Sequence, residues 1–161
     1  LLTSGGPDGE MGASMRYLSQ RYAMPYKECK GTLTDIGTEE LAHLEIVAAI
    51  IHQLTKGLTA DQLVEQGFGP YYIVHTTGIW PQAAGGIPFN ACEFQSKRDV
   101  ITVLHEDMAA DESQGTYDNI LRVVKDYDVC DPIKFLRERE VVHYQRFGEL
   151  LRITQEKLDI R

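Results

Sequence analysis

The sequence predicts an all-α fold, a four-helix bundle with a long crossover between its second and third helices. Four segments carry apolar residues at helical spacing, and an irregular segment over about residues 58–96 separates the second from the third. Two of the helices also repeat one polar motif on their apolar stripes. The 161 residues, of which 43% are hydrophobic and 25% charged, suffice for a single domain over residues 1–161.

Turn and cap signals set the ends of these helices. The four predicted helices run over about residues 10–24, 27–56, 97–126 and 131–158. A "GGPDG" turn precedes the first helix and Pro25 ends it, while Gly57 follows the second. The fourth is predicted to open with Asp131 as its N-cap and Pro132 at its first helical position. The segment that holds Trp80 and "AAGGIP" is long for a compact domain, and in a bundle it can join two parallel neighbours.

Charge and cysteine usage exclude several classes of function. There are 24 Asp and Glu residues against 16 Lys and Arg, which gives a net charge of −8. This disfavours nucleic acid or an anionic membrane as the main partner. Cys29, Cys92 and Cys130 form no CxxC pair, so we expect a reduced, intracellular setting and buried thiols. The opening "LLTSGGPDGE" has neither an initiator Met nor a signal-peptide pattern, so the chain is expected to be truncated at its start.

A Glu-x-x-His motif occurs twice, as Glu40–His43 and as Glu140–His143. An i, i+3 pair points to one side of a helix, and here that side is the apolar stripe. The stripe residues are Leu33, Ile36, Leu44, Val47 and Ile51 around the first motif, and Ile133, Leu136, Phe147 and Leu150 around the second. Unpaired ionisable groups in a core would each be destabilising by several kcal/mol. A shared metal site is the economical compensation, and carboxylates with imidazoles suit manganese or iron.

The other two helices offer acids for the same site. Glu10 shares a face with Tyr17, although a first-turn acid is also favoured by the helix dipole, and Tyr17 could be simple core. On the third helix Asp111 lies closer to the apolar stripe, while Glu112 has the longer reach. We favour Asp111 slightly and keep Glu112 as the alternative. The residues expected not to be ligands are Glu39, Glu45, His52, His75 and His105, with the two glutamates in solvent.

With these residues in view, the chain resembles the manganese catalase family, and most of all its CotJC-type spore-coat branch. The motifs that carry the resemblance are "GGPDGEMGASMRYLSQRY", "TDIGTEELAHLE", "AAGGIPF" and "FLREREVVHYQRFGE". The resemblance implies a ferritin-like bundle with two manganese ions that disproportionates hydrogen peroxide to water and oxygen. It also implies a homo-oligomer, a hexamer, located in the cytoplasm or in a spore coat with other coat proteins as partners. The implied metal ligands are Glu10, Glu40, His43 and His143, with Glu140 as an active-site carboxylate and Tyr17 beside the ligands.

The third helix departs from the family pattern. Where relatives read like "EDxAAExxARxTY", this chain reads "EDMAADESQGTY", which is one residue shorter. The apolar stripe also slips its phase between Asp111 and Tyr117, and Ala110 stands where an Arg is common in the catalases. Two alternatives to a catalase therefore stay open. They are a di-iron oxidase or iron-handling protein of the ferritin-like class, and a structural coat component with little activity.

Overall fold

The computed structural model describes residues 9–72, 78–79, 99–110 and 114–159. The α-helices are α1 (Glu10–Gln20), α2 (Lys27–Thr55), α3 (Ala60–Glu65), α4 (Val100–Ala110), α5 (Gln114–Val123) and α6 (Tyr127–Asp159). Within these residues the structure is helical apart from turns and one isolated β-bridge between Tyr72 and Ile79. The predicted all-α class is confirmed, with α1, α2, the pair α4 and α5, and α6 as the four members of the bundle.

The ends of the first two helices agree with the sequence prediction to within a turn. α1 continues into a 3₁₀ turn, Arg21–Ala23, and α2 ends one residue before the predicted limit. α4 begins three residues later than predicted, because Asp99 acts as its cap. The Asp99 carboxylate accepts the Ile101 N–H at 3.2 Å and the Thr102 hydroxyl.

The predicted start of the fourth helix was wrong. α6 begins at Tyr127, and its N-terminus is capped by Asp126 rather than by Asp131. The Asp126 carboxylate accepts the Asp128 N–H at 2.9 Å, and the Asp126 carbonyl accepts the Cys130 N–H at 2.8 Å. Pro132 therefore lies inside the helix, but close enough to its start that its missing N–H removes a single backbone hydrogen bond.

Close packing of α1 on α2 is set by Gly37. A Cβ at this position would lie 2.9 Å from the Leu18 Cγ atom, closer than real side chains approach. The Ser14 hydroxyl donates a 2.6 Å hydrogen bond to the Gly37 carbonyl. Both observations show that the absence of a side chain lets α1 approach the α2 backbone, which carries Glu10 towards the bundle axis.

Two apolar clusters fill the interior of the bundle. One contains Tyr17, Met24, Cys29, Leu33, Ile36, Val103, Leu104, Phe147, Leu150 and Leu151. The other contains Val47, Ile51, Tyr117, Val129, Ile133 and Leu136. On α2 and α6 the Glu-x-x-His motifs fall between the residues of the two clusters. The polar side chains therefore form one layer between two apolar ones.

The first part of the predicted crossover is more ordered than the sequence suggested. α3 opens with a capping box, in which the Thr59 N–H donates to the Gln62 Oε1 at 2.8 Å and the Gln62 N–H donates to the Thr59 Oγ1 at 3.3 Å. A 3₁₀ turn, Gly69–Tyr71, follows, and the Tyr72 hydroxyl contacts the Thr55 hydroxyl at the end of α2. Trp80 and "AAGGIPF" lie outside the described residues.

Cys29 and Cys130 are free and buried, as expected, and Cys92 lies outside the described residues. The Cys29 Sγ lies 3.5 Å from the Thr154 Oγ1 in the core. In the part of the chain that the structure describes, no helix is both long enough and apolar enough to cross a bilayer.

Candidate metal centre

The two Glu-x-x-His motifs meet in the centre of the bundle. Glu40 and His43 come from α2, Glu140 and His143 come from α6, and each of the four residues is at most 2% exposed. One potential ligand atom from each residue lies within 4.8 Å of all the others. The helical spacing thus brings together the four residues that the sequence singled out.

The Nδ1 atoms of both imidazoles face the carboxylates. The His43 Nδ1 lies 2.9 Å from the Glu40 Oε2, 3.1 Å from the Glu140 Oε1 and 3.7 Å from the Glu10 Oε2. The His143 Nδ1 lies 3.0 Å from the Glu40 Oε1 and 3.9 Å from the Glu140 Oε2. The two rings are stacked, with centroids 5.3 Å apart and planes 19° from parallel. Parallel rings present their Nδ1 atoms to one side of the site and their Nε2 atoms to the other.

These close approaches leave the buried atoms without proper hydrogen bonds. Both Glu40 oxygens, the Glu140 Oε1 and all four imidazole nitrogens are buried and have no hydrogen-bond partner of acceptable angle among the described residues. Leaving one buried polar group unpaired costs about 1–3 kcal/mol, and more for a charged group. Cations that bind carboxylate and imidazole ligands would satisfy this donor set, so the residues present fit a metal site.

Crowding of the acids perturbs their protonation. Burial raises the pKa of Glu10 and of Glu140 above the ordinary range, with repulsion from neighbouring carboxylates adding to it. Burial would also raise the pKa of Glu40, but the two adjacent imidazoles outweigh it and lower that pKa to about 2. Burial lowers the pKa of His43 and His143, yet the surrounding carboxylates outweigh it and raise both. The raised pKa values favour the proton-bound forms of Glu10, Glu140 and both histidines, so protons offset part of the negative charge that these buried acids would otherwise carry.

Glu10 reaches the cluster from α1 and is held there by Tyr117 of α5. Both side chains are buried, and the Tyr117 hydroxyl donates to the Glu10 Oε1. Tyr117 was not predicted from the sequence, because the slip of the apolar stripe before it obscured which face of the helix it occupies. The sequence offered one signal for its burial. Tyr117 precedes the apolar residues Ile120, Leu121 and Val124, which pack against the second apolar cluster, to which Tyr117 itself belongs.

Tyr17 is fully buried on α1, and its ring packs against Phe147 with centroids 5.1 Å apart. Its expected role beside the ligands stays a prediction.

Glu39 does not lie free in solvent as expected, and that expectation was wrong. Its side chain is 27% exposed and receives two hydrogen bonds from Arg139, from Nε to Oε1 at 2.5 Å and from Nη2 to Oε2 at 3.1 Å. The same carboxylate lies 3.1 Å from the His143 Nε2 and 3.7 Å from the His43 Nε2. Burial would raise the pKa of Glu39, but Arg139 and His143 outweigh it and lower that pKa to about 2. Glu45 is exposed as expected.

The predicted third-helix ligands, Asp111 and Glu112, lie outside the described residues, as does the side chain of Ala110. The described part of α4 contributes a different buried acid that the sequence analysis missed. Asp107 is fully buried, and its Oδ1 accepts a 3.1 Å hydrogen bond from the Gln20 Nε2. It falls on the predicted stripe next to Leu104 and Met108, so the periodicity could have identified it.

The remaining histidines are described in part, and their expected absence from the ligand set stays a prediction. His52 and His105 are exposed, away from the buried cluster, and His75 lies outside the described residues.

Comparison with known proteins places the chain in a family. The family model for manganese containing catalase matches residues 2–160. The chain is 47% identical over 156 residues to Protein CotJC of Bacillus subtilis, with 96% of this chain and 82% of that protein aligned. It is 31% identical over 148 residues to a probable manganese catalase of Clostridium acetobutylicum, with 91% of this chain and 66% of that protein aligned.

Solved structures agree with this assignment. KatB, a manganese catalase from Anabaena PCC7120, matches 95% of this chain and 69% of its own with a TM-score of 0.80 and 25% identity. The fold is thus the expected ferritin-like bundle. The chain spans 58% of the length of the manganese catalase of Bacillus subtilis, to which it is 27% identical. On the family match, the identities and the shared fold together, the chain belongs to the manganese-containing catalase family.

Proposed function

We propose that this protein binds two manganese ions at the buried cluster and disproportionates hydrogen peroxide to water and oxygen. The observation that carries the proposal is the convergence of Glu40, His43, Glu140 and His143 on one buried point, where their ligand atoms lack other partners among the described residues. When bound, a manganese pair supplies a two-electron redox store, which is the chemistry that peroxide disproportionation needs.

The charge of the cluster suits two divalent ions if the third helix adds one more carboxylate. Glu10, Glu40 and Glu140 carry three negative charges when ionised, and the two histidines are neutral as ligands. One divalent ion would leave a buried negative charge, whereas two would leave a single positive charge. One further carboxylate would balance the site, and we propose that the third helix supplies it. Asp111 is the favoured residue for this position and Glu112 the alternative.

The chain's own residues would divide the remaining work. Glu40 lies against the Nδ1 atoms of both imidazoles through its two oxygens, so it would hold the metal pair together with His43 and His143. Glu140 lies 3.1 Å from the same His43 Nδ1 atom, and we assign it the transfer of protons to and from peroxide oxygen atoms. Tyr117 orients Glu10, and we assign Tyr17 a position beside the ligands. The apolar clusters above and below the site restrict entry to small substrates.

Two variants on α2 test the proposal. His43→Ala removes a proposed ligand, and His52→Ala removes an exposed histidine of the same helix. We expect the wild-type protein and His52→Ala to hold two manganese ions per chain by elemental analysis and to evolve oxygen from peroxide. His43→Ala should hold fewer ions and lose oxygen evolution. Full manganese content in His43→Ala would contradict the proposal.

The same measurements separate the alternative functions. A protein that carries iron from its native source and consumes oxygen would be a di-iron oxidase. One that holds metal without evolving oxygen would be a structural component. Family membership favours manganese, and identity to Protein CotJC supports the spore-coat setting that the resemblance implies over the cytoplasm. Detection of the protein in purified coat fractions would test this location and its association with other coat proteins.

We also propose a homo-oligomer, a hexamer as the resemblance implies. Several large apolar side chains of the described residues are exposed, among them Tyr22, Val123 and Tyr127, each at 77% or more. An oligomer interface would cover such residues. Sedimentation of the full-length protein tests this, and a monomeric mass would count against it.

A further inference from the structure

The two Glu-x-x-His motifs are preceded by residues of opposite charge. Glu39 stands immediately before Glu40, and Arg139 stands immediately before Glu140. Their matched positions bring them together across the interface of α2 and α6. The guanidinium of Arg139 donates to both oxygens of Glu39, at 2.5 and 3.1 Å. This bidentate geometry fixes the plane of the Glu39 carboxylate.

The imidazole Nε2 atoms lie on the same side as Glu39. The His143 Nε2 is 3.1 Å from the Glu39 Oε2, and the His43 Nε2 is 3.7 Å from the Glu39 Oε1. Each oxygen of one carboxylate therefore lies near one ring. Both Nε2 atoms are buried without a hydrogen bond of acceptable angle among the described residues, so a small ring rotation towards Glu39 would remove two unpaired donors.

We propose that Glu39, held by Arg139, is the shared acceptor for the Nε2–H groups of His43 and His143 and so positions both rings for metal binding. An acceptor at Nε2 fixes the tautomer that leaves the Nδ1 lone pair free, and both Nδ1 atoms point to the carboxylate side where the metals are proposed. This inference rests on the proposed function. It assigns Glu39 as a positioning residue and not as a ligand.

The competing explanation is an ordinary ion pair that joins two helices. The chain offers a matched example, because Asp35 of α2 accepts a 2.5 Å hydrogen bond from Arg146 of α6. That pair joins the same two helices and is more exposed than Glu39 and Arg139. A variant of Asp35 therefore controls for the loss of a cross-helix ion pair.

The experiment compares metal affinity in the full chain and in the variants Glu39→Gln, Arg139→Gln and Asp35→Asn. Free Mn(II) is followed by its electron paramagnetic resonance signal during titration. Co(II) is bound in separate samples, where its visible absorption reports the geometry of its nitrogen ligands. Far-ultraviolet circular dichroism of each metal-free protein shows whether the variant folds.

Glu39→Gln should weaken Mn(II) binding by about 10–100-fold, the range found for outer-shell partners of metal ligands. A glutamine has one oxygen, so it can accept from one imidazole at most, and its NH₂ group opposes the other donors. Arg139→Gln should weaken binding less, because it keeps the acceptor and loses only its orientation. Asp35→Asn should bind as the wild type does, and the Co(II) spectrum should change in Glu39→Gln alone or most strongly there.

Equal effects in Glu39→Gln and Arg139→Gln would overturn the proposal, because a simple ion pair is lost equally from either side. Unchanged affinity and Co(II) spectrum in Glu39→Gln would also overturn it, while leaving the proposed function intact. A wild-type protein that binds no Mn(II) would overturn both. If Glu39→Gln does not fold, Glu39→Asp replaces it, and the same comparison with Arg139→Gln decides.

Discussion

Replacing Asp107 by asparagine should make the protein more stable at alkaline pH. Asp107 is fully buried on α4, and its Oδ2 has no hydrogen-bond partner among the described residues. Burial raises its pKa from 3.8 to about 7, outweighing the hydrogen bond from Gln20 and the attraction of Arg16. Above pH 7 the folded protein must therefore carry a buried negative charge that the unfolded chain keeps in water.

The sign and size of the pH dependence follow from that shift. Between the unfolded and folded pKa values the folded state retains a proton that the unfolded state has released, so stability falls as pH rises through this window. At about 1.4 kcal/mol per pKa unit, the wild type should lose about 2–3 kcal/mol between pH 5 and pH 8 through this group, most of it below pH 7. The asparagine side chain of the Asp107→Asn variant is neutral at every pH and keeps an oxygen for the Gln20 donor, so this loss should disappear.

Urea unfolding followed by circular dichroism measures the free energy of unfolding of the wild type and of Asp107→Asn at pH 5 and pH 8, with the same Mn(II) concentration in all samples. The decisive quantity is the change in the advantage of Asp107→Asn between the two pH values, because altered hydrogen bonding would affect both equally. We expect about 2–3 kcal/mol. The exposed Asp159 provides the control variant, Asp159→Asn, which should show no such change. An advantage of the same size at both pH values would refute the reasoning.

Other predictions concern single contacts and the metal. Gly37→Ala should lower the free energy of unfolding by about 1–3 kcal/mol through the clash with Leu18, whereas Gly31→Ala, in open space, should raise it by about 0.5–1 kcal/mol. Equal urea midpoints for the two would contradict this. Tyr117→Phe should destabilise by about 1–3 kcal/mol because it deprives buried Glu10 of its donor, and an unchanged midpoint would argue against that contact. Chelation should lower the melting temperature, since Mn(II) at about 100 times its Kd stabilises by about 2.7 kcal/mol, and re-addition should restore it.

The sequence alone was sufficient for the residues whose position depends on helical periodicity. Glu40 and His43 lie three residues apart on a stripe whose other members are mostly buried, and the same holds for Glu140 and His143. The helical geometry places both residues of such a pair on one face of the helix, and burial of the apolar stripe turns that face towards the interior of the bundle. The convergence of the two pairs then required only that the two helices pack together.

Competing local signals explain the error at the start of α6. Asp131 followed by Pro132 is a strong N-terminal pattern, but Asp126 provides a cap through both its carboxylate and its carbonyl. The added turn buries Val129 in the second apolar cluster. Burial of this apolar residue and a satisfied cap outweigh the one hydrogen bond lost at the proline, which periodicity alone could not establish.

Contacts between distant helices explain what the sequence analysis missed. Tyr117 meets Glu10 across 107 residues of sequence, and Gln20 meets Asp107 across 87. No local sequence pattern at either residue of these pairs predicts its contact with the other. Glu39 was assigned to solvent because it lies off the stripe, but Arg139, which is 100 residues away, holds it against the imidazoles. A charged residue at the edge of a buried stripe is therefore ambiguous until its cross-helix neighbour is known.

The asymmetry of Glu39 and Arg139 has a physical reason within an otherwise repeated motif. Two glutamates at these positions would place like charges against each other beside a cluster that already holds Glu10, Glu40 and Glu140. Two arginines would face the Nε2–H groups with further donors and leave no acceptor. An acid at one position and a base at the other avoids the repulsion and provides an acceptor. This explains why the residues before the two motifs differ in charge although the motifs themselves are the same. For chains with paired Glu-x-x-His motifs, opposite charges at that position then predict both that the helices are neighbours and which one carries the acceptor.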